Sequence, residues 1–241
     1  MTKIQSLSMV IPVFNEEDNL PILFKEITSA VAPLALEWEV VFVDDASTDN
    51  SLAVIKNLAQ DDEHVRYVAF AHNCGQSAAF GAGFAAATGD IIITMDADLQ
   101  NDPADVPKMV NTFITQDADM VIGWRATRRD TMVKRISSII ANGVRNKLTN
   151  ETVRDTGCSL KAMRTDMARR LPVFTGMHRF LPTLMKMQGA TVVEIPVNHR
   201  HRQHGESKYG TWDRLVASSY DLFAVRWMQK RHVNYTIKEQ K

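Results

Sequence analysis

Five short, nearly unbroken apolar runs punctuate the first half of the chain: LSMVIPV (7–13), WEVVFVDD (38–45), VRYVAFA (65–71), DIIITMD (90–96) and DMVIGWR (119–125). Between them lie segments with helical spacing of apolar residues, over about 15–32, 48–60, 76–87 and 104–115. Asn15 reads as the cap of the first of these, with acids in the turn that follows. Strands that stay apolar along their whole length are covered on both faces, and strands alternating with helices pair in parallel. The pattern predicts an α/β fold: a doubly wound, mostly parallel, Rossmann-like sheet with helices on both faces.

After Arg125 the rhythm changes. A basic helix is expected over 131–148, then an irregular turn, RDTGCSLK (154–161), two shorter helices, a strand ATVVEIPV (190–197) and a basic loop HRHRQHGESKYG (199–210). A final helix, about 211–230, carries Trp212, Leu215, Val216, Leu222, Phe223, Val225, Trp227 and Met228. No repeat or low-complexity linker divides the chain, so a single domain is expected over residues 1–241.

Charge adds what hydropathy does not show. The formal net charge is +0, yet residues 1–120 carry 5 Lys+Arg against 19 Asp+Glu and residues 121–241 carry 23 against 9, balances of −14 and +14. An acidic half suits a cation and a basic half suits phosphates or an anionic membrane; mutual attraction of the two halves is the plainer alternative. No apolar run approaches the roughly 18–20 residues needed to cross a bilayer, and the N-terminus lacks a secretory core, so a cytosolic protein is expected. Cys74 and Cys158 are too few for a disulfide scaffold or a zinc site and read as reduced, semi-buried thiols.

In an open parallel sheet, functional residues gather where strands end. Those ends read Asn15-Glu16-Glu17, Asp44-Asp45, Asn73, Asp96-Asp98 and Arg125. Asp96, Asp98 and Gln100, spaced i, i+2 and i+4, are hard oxygen ligands of the kind Mg²⁺ or Mn²⁺ prefers. Asp102 before Pro103 reads instead as a helix cap. Gly81 and Gly83 lie in an Ala-rich helical pattern and signal close packing, not a dinucleotide loop.

The motifs IPVFNEE, VDDASTDNS, HNCGQSAAFGAGFAAATGD and DADLQNDP, in this order, resemble the GT-A domain of family 2 inverting glycosyltransferases. GWRATRRD, DTGCSLK, HRFLP and HRHRQHGESKYG further resemble the polyprenyl-phosphate branch, which includes dolichol-phosphate mannose synthases and bacterial undecaprenyl-phosphate sugar transferases. The resemblance spans about residues 7–228. It implies that Pro12, Asn15, Glu17, Asp44 and Asp45 line the nucleotide, with Asp96 near the ribose and diphosphate. Asp98 and Gln100 would ligate Mg²⁺ or Mn²⁺, and Lys208 would meet the diphosphate in a mobile loop. Arg125, Lys134, Arg135 and Arg202 would bind phosphates, the acceptor's among them, and Asp155 would approach the reaction centre. Asp98, Asp155, Arg125 and Arg202 are thus the expected catalytic set.

In these terms the expected plan is a nucleotide-sugar and metal half (1–125), an acceptor half (126–210) and a C-terminal amphipathic helix (211–231). The reading is a metal-dependent inverting transferase that moves a sugar from a nucleoside diphosphate, a UDP-sugar by preference, to undecaprenyl phosphate at the cytoplasmic membrane face. Many bacterial relatives continue into transmembrane helices; here the polar tail HVNYTIKEQK starts no span, so a naturally peripheral protein is expected. GDP-mannose:dolichol-phosphate-type transfer, transfer to a protein or polysaccharide hydroxyl, and a catalytically inert nucleotide-sugar-binding regulator of a membrane partner stay open as alternatives. No nucleic acid is expected as a partner; a membrane protein partner and a homo-oligomer stay open.

Overall fold

The computed structural model describes residues 4–125, 143, 152–201, 211–233 and 239, with side chains of the last helix described from Tyr220 onward. Alternating strands and helices open the chain: β1 (Ser6–Val13), α1 (Leu20–Val31), β2 (Glu37–Asp44), α2 (Ser51–Asp61), β3 (Val65–Ala69), α3 (Gln76–Ala86), β4 (Ile91–Thr94), α4 (Val106–Thr115) and β5 (Met120–Arg125). They are followed by β6 (Lys161–Arg164), α5 (Thr165–Ala168), α6 (Leu181–Met187), β7 (Val192–Val197) and α7 (Thr211–Arg231). The expected basic helix over 131–148 lies outside the described residues apart from helical Gly143.

The seven strands form one sheet in the order β3-β2-β1-β4-β6-β5-β7. The chain winds outward from β1 to β3, then returns to place β4 on the other side of β1, which opens a crevice at the carboxyl ends of β1 and β4. Every neighbouring pair is parallel except those made by β6, which is antiparallel to both β4 and β5. The sequence pattern does not announce β6. It is four residues long with Lys161 and Arg164 at its ends, and a short segment bounded by charges reads as part of a turn.

Strand pleating divides the core in two. Leu7, Met9, Ile11 and Val13 of β1, with Val40, Phe42, Ile91 and Ile93, face Leu23 and Ile27 of α1, Ile55 of α2 and Phe113 of α4. Val10, Val41, Val43 and Ile92 face the opposite side, toward Phe80 and Phe84 of α3, Leu184 of α6 and Leu222 and Val225 of α7. Helices therefore cover both faces, as the unbroken apolar strands require. Among the described residues, no helix is long and apolar enough to cross a membrane.

Two local readings need correction. Asn15 does not cap α1: it sits at φ 57°, and the helix begins at Leu20 after Asn19 with Pro21 in its first turn. Cys74 is exposed while Cys158 is buried, and neither is in a disulfide. The glycine pair on α3 does serve packing. A side chain at Gly83 would run into Val10 Cγ1 and come within 3.2 Å of Val43 Cγ2, both on stiff β-branched residues of the sheet. Gly83→Ala is accordingly expected to destabilise the fold by about 1–3 kcal/mol despite alanine's better helix propensity, read as a lower urea midpoint with unchanged slope.

Candidate functional site

The rim at the strand ends is shaped by three left-handed residues that are not glycine. Asn15 (φ 57°) follows β1, Ala46 (φ 58°) follows β2 and Leu99 (φ 61°) follows β4. Asparagine tolerates this region; alanine and leucine adopt it at a cost of order 1 kcal/mol each, and such residues concentrate at functional sites.

The first two turns are tied to each other. Thr48 N donates to Asn15 Oδ1 at 2.7 Å, Asn15 N to Ser47 Oγ at 3.0 Å, and Asn50 N to Glu17 Oε2 at 2.9 Å. Asn15 and Glu17 therefore brace the β2–α2 turn. Asp45 directs both oxygens at the next loop, accepting from Cys74 N at 2.6 Å and Gly75 N at 2.8 Å, where Gly75 needs φ 86°. Asp44 is different: it is buried, accepts at Oδ2 from Ser47 N at 3.3 Å, and its Oδ1 has no hydrogen-bond partner among the described residues. A buried acceptor at a strand end, left without a donor, fits a ligand N–H. Pro12 lies in β1 opposite Val43, one residue before the strand ends.

The loop after β4 holds the acids of the crevice. Asp96 accepts from Gln76 Nε2 at 2.7 Å, at the start of α3. Burial, reinforced by the neighbouring charge of Asp98, pushes its pKa up to about 6, against the pull of the Ser159 hydroxyl and the positive charges of Lys161 and Arg125. Asp98 is buried and accepts from Gln100 N at 3.1 Å. Asn101 clamps the loop from below: its Oδ1 accepts from Asp96 N at 3.3 Å and from Ser159 Oγ at 2.7 Å. Asp102 caps the turn that leads into α4 by accepting from Ala104 N at 3.0 Å, as the Asp-Pro spacing predicts, and also takes Arg200 at 2.6 Å.

Across from these acids, Arg125 at the end of β5 forks onto Asp155. Its Nε reaches Oδ2 at 2.7 Å and an η nitrogen reaches Oδ1 at 2.9 Å, with both side chains largely buried. The turn that carries Asp155 runs on to Lys161, which is fully buried and donates from Nζ to the Cys158 carbonyl. Burial pushes the Lys161 ammonium below its ordinary pKa, against the pull of the Asp96 and Asp155 carboxylates. The same burial raises the Cys158 thiol, so that sulfur stays protonated and inert.

The fold thus brings Asn15, Glu17, Asp44, Asp45, Asp96, Asp98, Gln100, Arg125 and Asp155 to the strand ends. Lys134, Arg135, Arg202 and Lys208 lie outside the described residues. Sequence reading missed Asn101, Ser159 and Lys161, and also the 2.9 Å bond between Ser77 Oγ and His178 Nδ1 that ties α3 to the HRFLP segment. The one available signal was a lysine inside an otherwise uncharged run, CSLKAM. Ion pairs also join the two halves of opposite charge: Arg164 to Asp119 at 2.7 Å and Arg200 to Glu26 at 2.6 Å.

Among the described residues, no group of three or more His, Cys, Asp or Glu side chains forms a metal cage. The oxygen donors of Asp98 and Gln100 are nonetheless of the right class for a divalent ion whose remaining ligands are water and substrate phosphate, which is how Mg²⁺ is commonly held.

The Glycosyl transferase family 2 profile matches residues 8–171. The chain is similar to the dodecaprenyl-phosphate galacturonate synthase of Rhizobium johnstonii, 36% identical over 93% of this chain and 67% of the relative. It is also similar to the undecaprenyl-phosphate 4-deoxy-4-formamido-L-arabinose transferase of Edwardsiella ictaluri, 38% identical over 91% of this chain and 67% of the relative. Among solved structures it resembles the glucosyl-3-phosphoglycerate synthase of Mycobacterium tuberculosis in complex with Mg²⁺ and UDP. That match has a TM-score of 0.67 and 18% identity, over 95% of this chain and 81% of that one, a likeness of fold.

Proposed function

Because the chain belongs to glycosyl transferase family 2 and has its GT-A fold, we propose that it transfers a sugar from a nucleoside-diphosphate sugar to a polyprenyl phosphate, with inversion. The donor is a UDP-sugar and the acceptor undecaprenyl phosphate, at the cytoplasmic face of the membrane, where the protein acts peripherally. Two relatives named for sugar transfer to dodecaprenyl and undecaprenyl phosphates support the acceptor class. The observation that carries the reading is the opposition, at one rim, of the part-buried Asp96 and the buried Asp98 to the forked Arg125–Asp155 pair.

The residues divide the work by charge. Asp44 Oδ1, buried without a donor, accepts an N–H of the base, with Asn15 and Glu17 bracing the turn around it. Mg²⁺ or Mn²⁺ held by Asp98 and Gln100 would supply charge to offset that on the diphosphate. A lipid phosphate is already anionic at neutral pH and needs no strong base; it needs positioning against another anion. Arg125, fixed in direction by Asp155, supplies that, and Lys134, Arg135, Arg202 and Lys208 are the further cations of the reading. A phosphate oxygen then forms the new bond to the anomeric carbon as the bond to the diphosphate breaks on the opposite face, and its negative charge leaves with the diphosphate.

Transfer to a hydroxyl would require a carboxylate base in this position. Asp155 has both oxygens engaged by the Arg125 guanidinium, an arrangement that favours the phosphate acceptor. The test is incubation of the protein with Mn²⁺, undecaprenyl phosphate and a panel of nucleotide sugars. The expected result is solvent-extractable sugar with one UDP-linked donor; absence of lipid-linked product from folded protein across the whole panel overturns the reading.

A further inference from the structure

The last helix has two apolar faces, and among the described residues only one of them has a partner. Leu222 and Val225 are buried against the core beneath α3 and α6. On the outer side Tyr220, Phe223 and Trp227 follow one another at helical spacing and are 80%, 68% and 64% exposed, with Val233 beyond them at 74%. A soluble helix normally turns such residues inward and leaves the outer stripe polar. Here the stripe is aromatic and then basic, since Lys230 and Arg231 close it in the last turn.

The charges on this segment are sorted by side. Between Tyr220 and Val233 the one carboxylate is Asp221 and the cations are Arg226, Lys230 and Arg231. Asp221 is turned toward the body of the protein: a side chain at Gly176 would meet its carboxylate, and the Arg179 charge acts on it. Among the described residues, the outer face thus combines exposed rings with positive charge and presents no acid. Tyr and Trp rings, each with an apolar body and one polar edge, beside an apolar Phe ring and bordered by Lys and Arg, suit the headgroup level of an anionic bilayer, where each nearby cation adds roughly a fivefold preference.

We propose that the outer face of α7, formed by Tyr220, Phe223 and Trp227 with Lys230 and Arg231, docks on an anionic lipid surface. The proposal deepens the lipid-acceptor reading and rests on it for the choice of a bilayer over another apolar partner. Docking would hold the protein at the layer in which a polyprenyl phosphate resides, so that the acceptor is met by lateral diffusion and not by extraction into water.

The test compares the full chain with Phe223→Ala/Trp227→Ala and Lys230→Glu/Arg231→Glu. Each is mixed with phosphatidylglycerol–phosphatidylcholine vesicles or with pure phosphatidylcholine vesicles and sedimented, and fold is checked by circular dichroism. The wild type should sediment with the anionic vesicles and much less with the neutral ones; each double variant should lose at least about tenfold in partitioning. Both variants should keep transfer to a short-chain, water-soluble isoprenyl phosphate. Wild type that stays in the supernatant overturns the proposal. So does equal sedimentation of folded variants, or a wild-type dimer that Phe223→Ala/Trp227→Ala converts to monomer without change in vesicle binding. Vesicle binding without transfer to any polyprenyl phosphate leaves the docking face intact and removes the catalytic reading, while transfer without vesicle binding does the reverse.

Discussion

Asp98→Ala and Asp98→Asn are each expected to slow sugar transfer by at least about three orders of magnitude, because a cation that offsets leaving-group charge contributes several kcal/mol. The pair of substitutions separates charge from geometry. Asparagine can still accept the Gln100 N–H that Asp98 Oδ1 takes at 3.1 Å, so it keeps the loop's internal bond while removing the negative charge. If the carboxylate ligates the metal, both variants fail alike, and calorimetry shows UDP binding that no longer strengthens when Mn²⁺ is added. If Asp98 only shapes the loop, Asp98→Asn retains most of its activity, and the metal assignment falls.

The second large effect concerns Arg125. Arg125→Lys keeps the charge but cannot fork onto both Asp155 oxygens as the guanidinium does at 2.7 and 2.9 Å. Misplacing a positioning cation by about an ångström can lower turnover by roughly 10²-fold. The expected pattern is a loss of that order in kcat/KM for the lipid phosphate, with the affinity for UDP unchanged. An equal loss on both substrates would move Arg125 to the donor side. Asp155→Ala should show a different signature. It strands a guanidinium that is only 18% exposed, so stability should also fall, by about 2–3 kcal/mol, somewhat less than for a fully buried pair. Denaturant titration reads this directly.

How much of this was legible beforehand follows from how local each signal is. The first five strands and the helices between them appear in the sequence because apolar runs and helical spacing are local properties, and β2, for example, is displaced by one residue, from 38–45 to Glu37–Asp44. The start of α1 was misplaced because Asn15 has the chemistry of a cap, while its left-handed backbone and its bonds to Ser47 and Thr48 are decided by a turn more than thirty residues away. The rim acids were legible because strand ends are where such a sheet places chemistry. The supporting pieces were not. Asn101 is an ordinary loop residue until Ser159 arrives to donate to it, and Lys161 looks like surface charge until β6 is recognised as a strand between two others. The last helix was legible as amphipathic over 211–231, but the outward stripe was not, since period alone does not say which of two apolar faces is covered.

The antiparallel strand β6 has a consequence for the order of assembly. It enters the sheet between β4 and β5, pairing Thr94 with Lys161 and Val121 with Ala162, and it is joined directly to the turn that bears Asp155 and Ser159. Until residues 154–164 have been synthesised and have threaded between the two waiting strands, β4 and β5 have no partner in common and Asn101, which clamps the acidic loop, lacks the bond from Ser159. Contacts between distant segments form late, after loop-closure entropy has been overcome. Sheet completion and assembly of the strand-end rim are therefore one folding event. A nascent chain holding β1 to β5 can collapse around its first core, but its two unpaired inner edges, on β4 and β5, stay open to other chains until that single strand closes them.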